Sequence, residues 1–147
     1  MMVTRARDPG PFVREIEHTA DLGLEVEAPS LPLLFERAGL GMLALMIDLA
    51  AVEPRERVAI ALAADDREAL LHDWLQHLLV RLQAGPFAMS ELAVEEVSER
   101  ALRAWGAGER VDRGRHRLYT EVKGVTYHRL ALRETAGGWW ARIILDV

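Results

Sequence analysis

Lys123 is the only lysine in the chain; the other 17 of its 18 basic residues are arginine. A taste for arginine, with no asparagine and no cysteine, follows from codon supply or a hot habitat, but either bias makes Lys123 the exception. An ammonium is compact and mobile where a guanidinium is a flat fork, so the exception points to a position that needs the ammonium. Leu118, Thr120 and Val122 alternate with Tyr119, Glu121 and Lys123, the period of a strand. Gly124 then interrupts, as at a bulge or a close backbone approach. The expectation is a charged head aimed at an anion or a partner from a strand end. Two carboxylates are the other candidates. Asp21 closes Thr19-Ala20-Asp21, which reads first as a turn between two strands. Asp146 falls on the side of the last strand that carries Ile144 and Arg142, with the α-carboxylate of Val147 beside it. Two anions at one strand end repel unless a cation joins them. A hard divalent ion does so, because it takes carboxylate and main-chain oxygens together; a solvated terminus is the plain alternative. His72 and His77 are five apart on one helical stretch, about 140° out of alignment, and read as surface or boundary residues rather than as a metal pair.

The elements that must position these groups follow from periodicity. Phe12 to His18 and Leu22 to Ala28 read as two strands of an antiparallel sheet with one wet face, Leu22, Leu24, Val26 and Ala28 pointing inward. Ser30 caps a first helix with Pro32 in its opening turn. Leu31, Leu34, Phe35, Ala38, Met42, Leu45 and Met46 recur along it at steps of three and four. Gly39 and Gly41 weaken that helix and are expected to permit close packing. Val58, Ile60 and Leu62 mark a third strand. Asp65-Asp66-Arg67-Glu68 opens a second helix in capping-box fashion, and Gly85-Pro86 closes it. Its apolar stripe is Leu70, Leu71, Trp74, Leu75, Leu78, Leu79 and Leu82. Strands are expected at Phe87–Val97, at Ala101–Trp105 with an end at Gly106-Ala107-Gly108, through Leu130 and Leu132, and at Trp139–Val147 after a hairpin at Ala136-Gly137-Gly138.

The bulk numbers bound the function. At 147 residues, half of them hydrophobic, the chain is one domain with a sizeable core, residues 1–11 reading as a disordered lead-in. A net charge of −5 opposes a broad nucleic-acid footprint, DNA included. Without cysteine there are no disulfides, no thiol catalysis and no thiolate zinc sites, which fits a cytoplasmic protein. No apolar run reaches the ~18 residues of a membrane helix.

Taken together, His18-Thr19-Ala20-Asp21, Ala28-Pro29-Ser30, Asp73-Trp74-Leu75, Lys123-Gly124-Val125-Thr126-Tyr127-His128 and Leu145-Asp146-Val147 resemble the archease family, in order and over nearly the whole chain from Phe12. Two positions depart from the family pattern: Gln76 and His77 stand where Asn and Glu are usual, and Gly124 where Ala is. The resemblance implies an α/β (α+β) two-layer sandwich, two helices on a mainly antiparallel sheet. It implies a non-catalytic accessory role for an RtcB-type RNA ligase in tRNA splicing and RNA repair, promoting guanylylation of the ligase and multiple turnover. RNA would be met only through the ligase. It implies a calcium-like divalent metal on Asp21, Asp146 and a main-chain oxygen of Val147, and it marks Lys123 as functional. His18 and His128 are then expected to stand behind the metal ligands rather than on the metal. Two other functions stay open on the residues alone: a small metal-dependent hydrolase built on Asp21, Asp146 and His18, and a general chaperone or modulator of an RNA-modifying enzyme.

Overall fold

The computed structural model describes residues 4–5, 12–18 and 21–147. Its strands are β1 (Thr4–Arg5), β2 (Val13–His18), β3 (Asp21–Ala28), β4 (Glu56–Ala63), β5 (Phe87–Val97), β6 (Ala101–Arg110), β7 (Gly124–Thr135) and β8 (Gly138–Asp146). The helices are α1 (Leu31–Met46) and α2 (Arg67–Ala84). Two helices do pack on antiparallel strands, and the strands divide into two sheets, ordered β1-β5-β6-β4 and β2-β3-β8-β7.

Helix α1 packs against both sheets and against α2, which explains its composition. A helix apolar nearly all round must be covered nearly all round, and even Glu36 is buried within it. Its two glycines lie on opposite faces and admit different neighbours. A Cβ at Gly39 would sit 2.7 Å from a Leu92 methyl and 2.8 Å from one of Leu78, and a Cβ at Gly41 would sit 2.9 Å from Val13. The Ser30 hydroxyl accepts from Leu33 N–H at the start of α1. On α2 the cap is Asp66, which accepts from Ala69 N–H at 2.8 Å, one residue later than the spacing of Asp65 and Glu68 suggests. All seven residues of the predicted α2 stripe are buried, each worth about 1.5–3 kcal/mol against exposure. Trp74 Nε1 donates to Phe35 O at 2.8 Å and ties the helices together.

Several sequence expectations change. Thr4 and Arg5, inside the presumed lead-in, pair with Leu92 and Glu91 of β5. Asp21 is already part of β3, paired with His18; Thr19 and Ala20 lie outside the described residues. Strand β6 continues through Gly106-Ala107-Gly108 to Arg110. Those glycines do not end the strand but let β5 come close: a Cβ at Gly108 would lie 1.7 Å from Ala88 O. Finally, residues 118–123 are not a strand. The N–H groups of Tyr119 and Thr120 donate to Met46 O and Leu45 O, at 2.8 and 3.0 Å, carbonyls that the end of α1 leaves without helical partners. Of the six residues only Val122 is buried. Alternation in sequence cannot tell a sheet partner from a helix end. The bulge also moves. Gly124 pairs regularly with Asp146, and the register breaks between Thr126 and Ala131, where Arg129 takes φ 55°.

Candidate functional site

The second sheet brings the predicted residues together. At one end of it His18 pairs with Asp21, Asp21 with Asp146, and Asp146 with Gly124, giving one row across all four strands. Directly opposed residues on antiparallel strands share a face, their Cβ atoms ~4.5–5.5 Å apart. The carboxylates of Asp21 and Asp146, from opposite ends of the chain, therefore stand side by side. They share the face of Ile144 and Arg142, because Ile143 and Leu145 point into the core. Like charges directly opposed destabilise a sheet, and among the described residues no ion pair joins either carboxylate.

Lys123 precedes the row. Its N–H donates to Asp146 O at 2.7 Å, so its backbone is fixed to the strand that carries the second carboxylate. Its side chain is exposed and lines a cleft of about 670 Å³ together with Gln83, Leu118, Tyr119 and Glu121. Val147 follows Asp146 and is 36% exposed. His128 is exposed within the β7 bulge and falls outside the row; its N–H donates to Thr126 Oγ1 at 3.2 Å. The His18 side chain lies outside the described residues, although its backbone sits in the row.

The donor chemistry fits a hard cation. Two adjacent carboxylates with main-chain oxygens nearby match calcium or magnesium better than ions that prefer histidine. Among the described residues no three His, Asp or Glu side chains cluster as a metal cage, so a cation here would need main-chain oxygen or water to complete its shell.

Sequence reasoning missed what holds this corner in place. His72 is not idle at the boundary: its Nε2–H donates to Val125 O at 2.8 Å, its Nδ1 lies 2.9 Å from Asp73 Oδ1, and its ring stacks on Tyr127 at 4.0 Å. His77 instead accepts from Arg81 Nε at 2.9 Å, and burial followed by the Arg81 charge holds it below the ordinary histidine value. A second acidic centre also escaped. Glu109, buried, accepts from Arg115 at 2.6 Å, from Glu53 N–H at 2.8 Å and from His116 Nε2 at 3.0 Å. Ending β6 at Gly108 hid it, and alternation carried past the glycines would have set Glu109 on the exposed side with Arg103.

The sequence matches the Archease protein family over residues 14–147. It is similar to the archease of Methanopyrus kandleri, 37% identical over 136 residues, 90% of this chain and 97% of that protein. The archease of Methanosarcina mazei is 34% identical over the same length, covering 93% of its own chain. The solution structure of Methanobacterium thermoautotrophicum protein 1598 superposes with a TM-score of 0.75 at 29% identity, covering 92% of this chain and 99% of that one. A Thermotoga maritima archease, described as a possible chaperone, shares the fold at a TM-score of 0.64 and 20% identity, over 91% of this chain and 96% of its own. No helix among the described residues is long and apolar enough to cross a membrane. A match over nearly the whole length, together with relatives above 30% identity, means that the chain belongs to the Archease protein family.

Proposed function

We propose that this protein is a non-catalytic activator of an RtcB-type RNA ligase, promoting ligase guanylylation and turnover and meeting RNA only through that enzyme. The observation that carries the reading is the row at the end of the second sheet, where Asp21 and Asp146 are cross-strand partners and the Lys123 N–H is bonded to Asp146 O. Asp21, Asp146 and a main-chain oxygen of Val147 would hold a divalent cation, with Ca²⁺ favoured by the all-oxygen donor set. When bound, the ion supplies fixed positive charge between two carboxylates that otherwise repel. Lys123, tied through its N–H to the same strand end, adds a mobile ammonium on the cleft it lines, suited to an anionic group on the partner or its nucleotide. This is the chemistry of a surface that completes another protein's site: charged groups concentrated at one sheet end, with no nucleophile-and-base pair among them.

The test is multiple-turnover RNA ligation by such a ligase, with and without this protein, beside Ca²⁺ titration calorimetry. Stimulation by the native chain and its loss in Asp146→Ala support the reading. Ligation that does not respond to the native chain removes it. Phosphate released by the protein alone, and abolished by Asp21→Ala, would favour a metal-dependent hydrolase instead.

A further inference from the structure

The segment that carries Lys123 is not in a ladder, yet it is not loose: side chains of α2 hold its backbone on both sides of the lysine. Gln83 Nε2 donates to Val122 O at 2.5 Å. Gln76 Oε1 accepts from Val125 N–H at 3.3 Å. His72 Nε2–H donates to Val125 O at 2.8 Å. Between them, Lys123 N–H donates to Asp146 O. Strand β7 is the edge of its sheet, so the groups of Val125 that turn away from β8 have no strand to meet. Buried backbone groups left unpaired are costly, and α2 pairs them. His72, Gln76 and Gln83 are spaced by four and seven, which places them on one helix face. That face is the polar border of the helix whose other side fills the core. A helix fixed by seven buried apolar residues is a rigid base, and a site built from such a base is held more closely than one on a free loop.

We propose that Gln76 and Gln83, with His72, are positioning residues that hold Lys123 in register with the Asp21–Asp146 pair. This rests on Lys123 being functional, as set out above. The two glutamines play opposite hydrogen-bond roles, one accepting and one donating, and this makes the idea testable by isosteric exchange. Gln76→Glu keeps an acceptor for Val125 N–H. Gln83→Glu loses the donor and sets a carboxylate against Val122 O.

The experiment uses the full chain and reads amide hydrogen exchange residue by residue, the thermal midpoint and ligase stimulation. Gln76→Leu and Gln83→Glu are each expected to speed exchange at Lys123 and Val125 about tenfold, the weight of one hydrogen bond. Amides in the middle of α2 and β3 are expected to keep their rates, and stimulation is expected to fall. Gln76→Glu is expected to behave as native. A residue that only stabilises the fold would instead speed exchange throughout and lower the midpoint. Unchanged exchange at Lys123 in both disruptive variants overturns the proposal. So does faster exchange with full stimulation, because the segment would then be held to no functional end. Lys123→Ala separates the two readings. If it stimulates fully, the role of Lys123 falls and the functional half of this proposal falls with it, while exchange in the glutamine variants still decides whether α2 holds the segment.

Discussion

Among the described residues, Glu109 and the Asp21–Asp146 pair are acidic centres built in opposite ways. Glu109 is buried and saturated: Arg115 and His116, the Glu53 N–H and Arg55 all reach its carboxylate. His116 is itself fixed, since it accepts from Asp112 N–H at 2.8 Å through Nδ1 and can therefore give its Nε2 proton to Glu109. The pair Asp21–Asp146 sits at a sheet end with the second carboxylate exposed, two like charges abreast and no ion pair to either among the described residues. A saturated buried carboxylate ties segments together; here it joins the loops after α1 and after β6. An opposed pair left open at the surface contributes nothing to the fold that apolar residues would not contribute better. The contrast separates an acid that holds structure from acids poised to meet a cation.

The comparison breaks if Glu109 is dispensable. Glu109→Gln keeps the shape but removes the charge from at least three hydrogen bonds, and hydrogen bonds to charged groups are worth about 1.5–3 kcal/mol. The expected result is a loss of about that size in denaturant unfolding, with stimulation reduced only as the folded fraction falls. The same acid sets a pH signature. Its pKa is pulled from an ordinary 4.5 to about 2, chiefly by the Arg115 hydrogen bond, with Glu53 N–H and His116 adding and burial opposing. A depressed folded value means that the unfolded chain binds the proton more tightly, so the stability from Glu109 is complete above about 4.5 and is lost as pH falls through about 2. Between these limits the acid limb of the stability curve is expected to be shallower in Glu109→Gln than in the native chain.

The opposite outcome is expected at the open pair. Asp21→Asn and Asp146→Asn remove repulsion without emptying the core, so the metal-free midpoint is expected to hold or rise. Calcium affinity is expected to drop in each by at least the ~10–100-fold that losing a mere hydrogen-bond partner of a metal ligand costs. Titration calorimetry beside thermal melts checks both halves. A midpoint that falls in either variant would mean that these carboxylates, like Glu109, hold the fold.

What was legible in the sequence follows the same division. Apolar periodicity located both helices, because burial leaves a mark every three or four positions, and the capping residues Ser30 and Asp65-Asp66 located their N-termini to within a residue. Asp21, Asp146 and Lys123 stood out as residue types in unusual places, and the family resemblance grouped them. Their direct pairing was not legible, because register depends on partners from opposite ends of the chain. The Lys123 segment was misread as a strand for the same reason: Leu118 to Val122 alternates, but its amides bond to Leu45 and Met46 at a helix end. Gln76 and Gln83 look like ordinary surface glutamines until the backbone of Val122 and Val125 is placed beside them. Polar side chains that serve main-chain atoms leave no periodic signal.

The smallest expected change in stability, and the sharpest functional one, lies at Lys123. Lys123→Arg keeps a positive charge on an exposed side chain, so neither burial nor net charge changes. Its backbone bond to Asp146 O does not depend on the side chain either, and the thermal midpoint is expected to stay where it is. If the residue acts only through its field, arginine should serve as well. If an ammonium must enter a confined anionic site on the partner, the wider planar guanidinium will not fit the same space. The chain already carries 17 arginines, so its single lysine argues for the confined case. Ligase stimulation is expected to fall steeply in Lys123→Arg at an unchanged midpoint, and Lys123→Met, which keeps most of the stem and removes the charge, is expected to fall at least as far. Stimulation by Lys123→Arg at the native level would reduce Lys123 to a surface charge and shift the functional weight to the carboxylate pair.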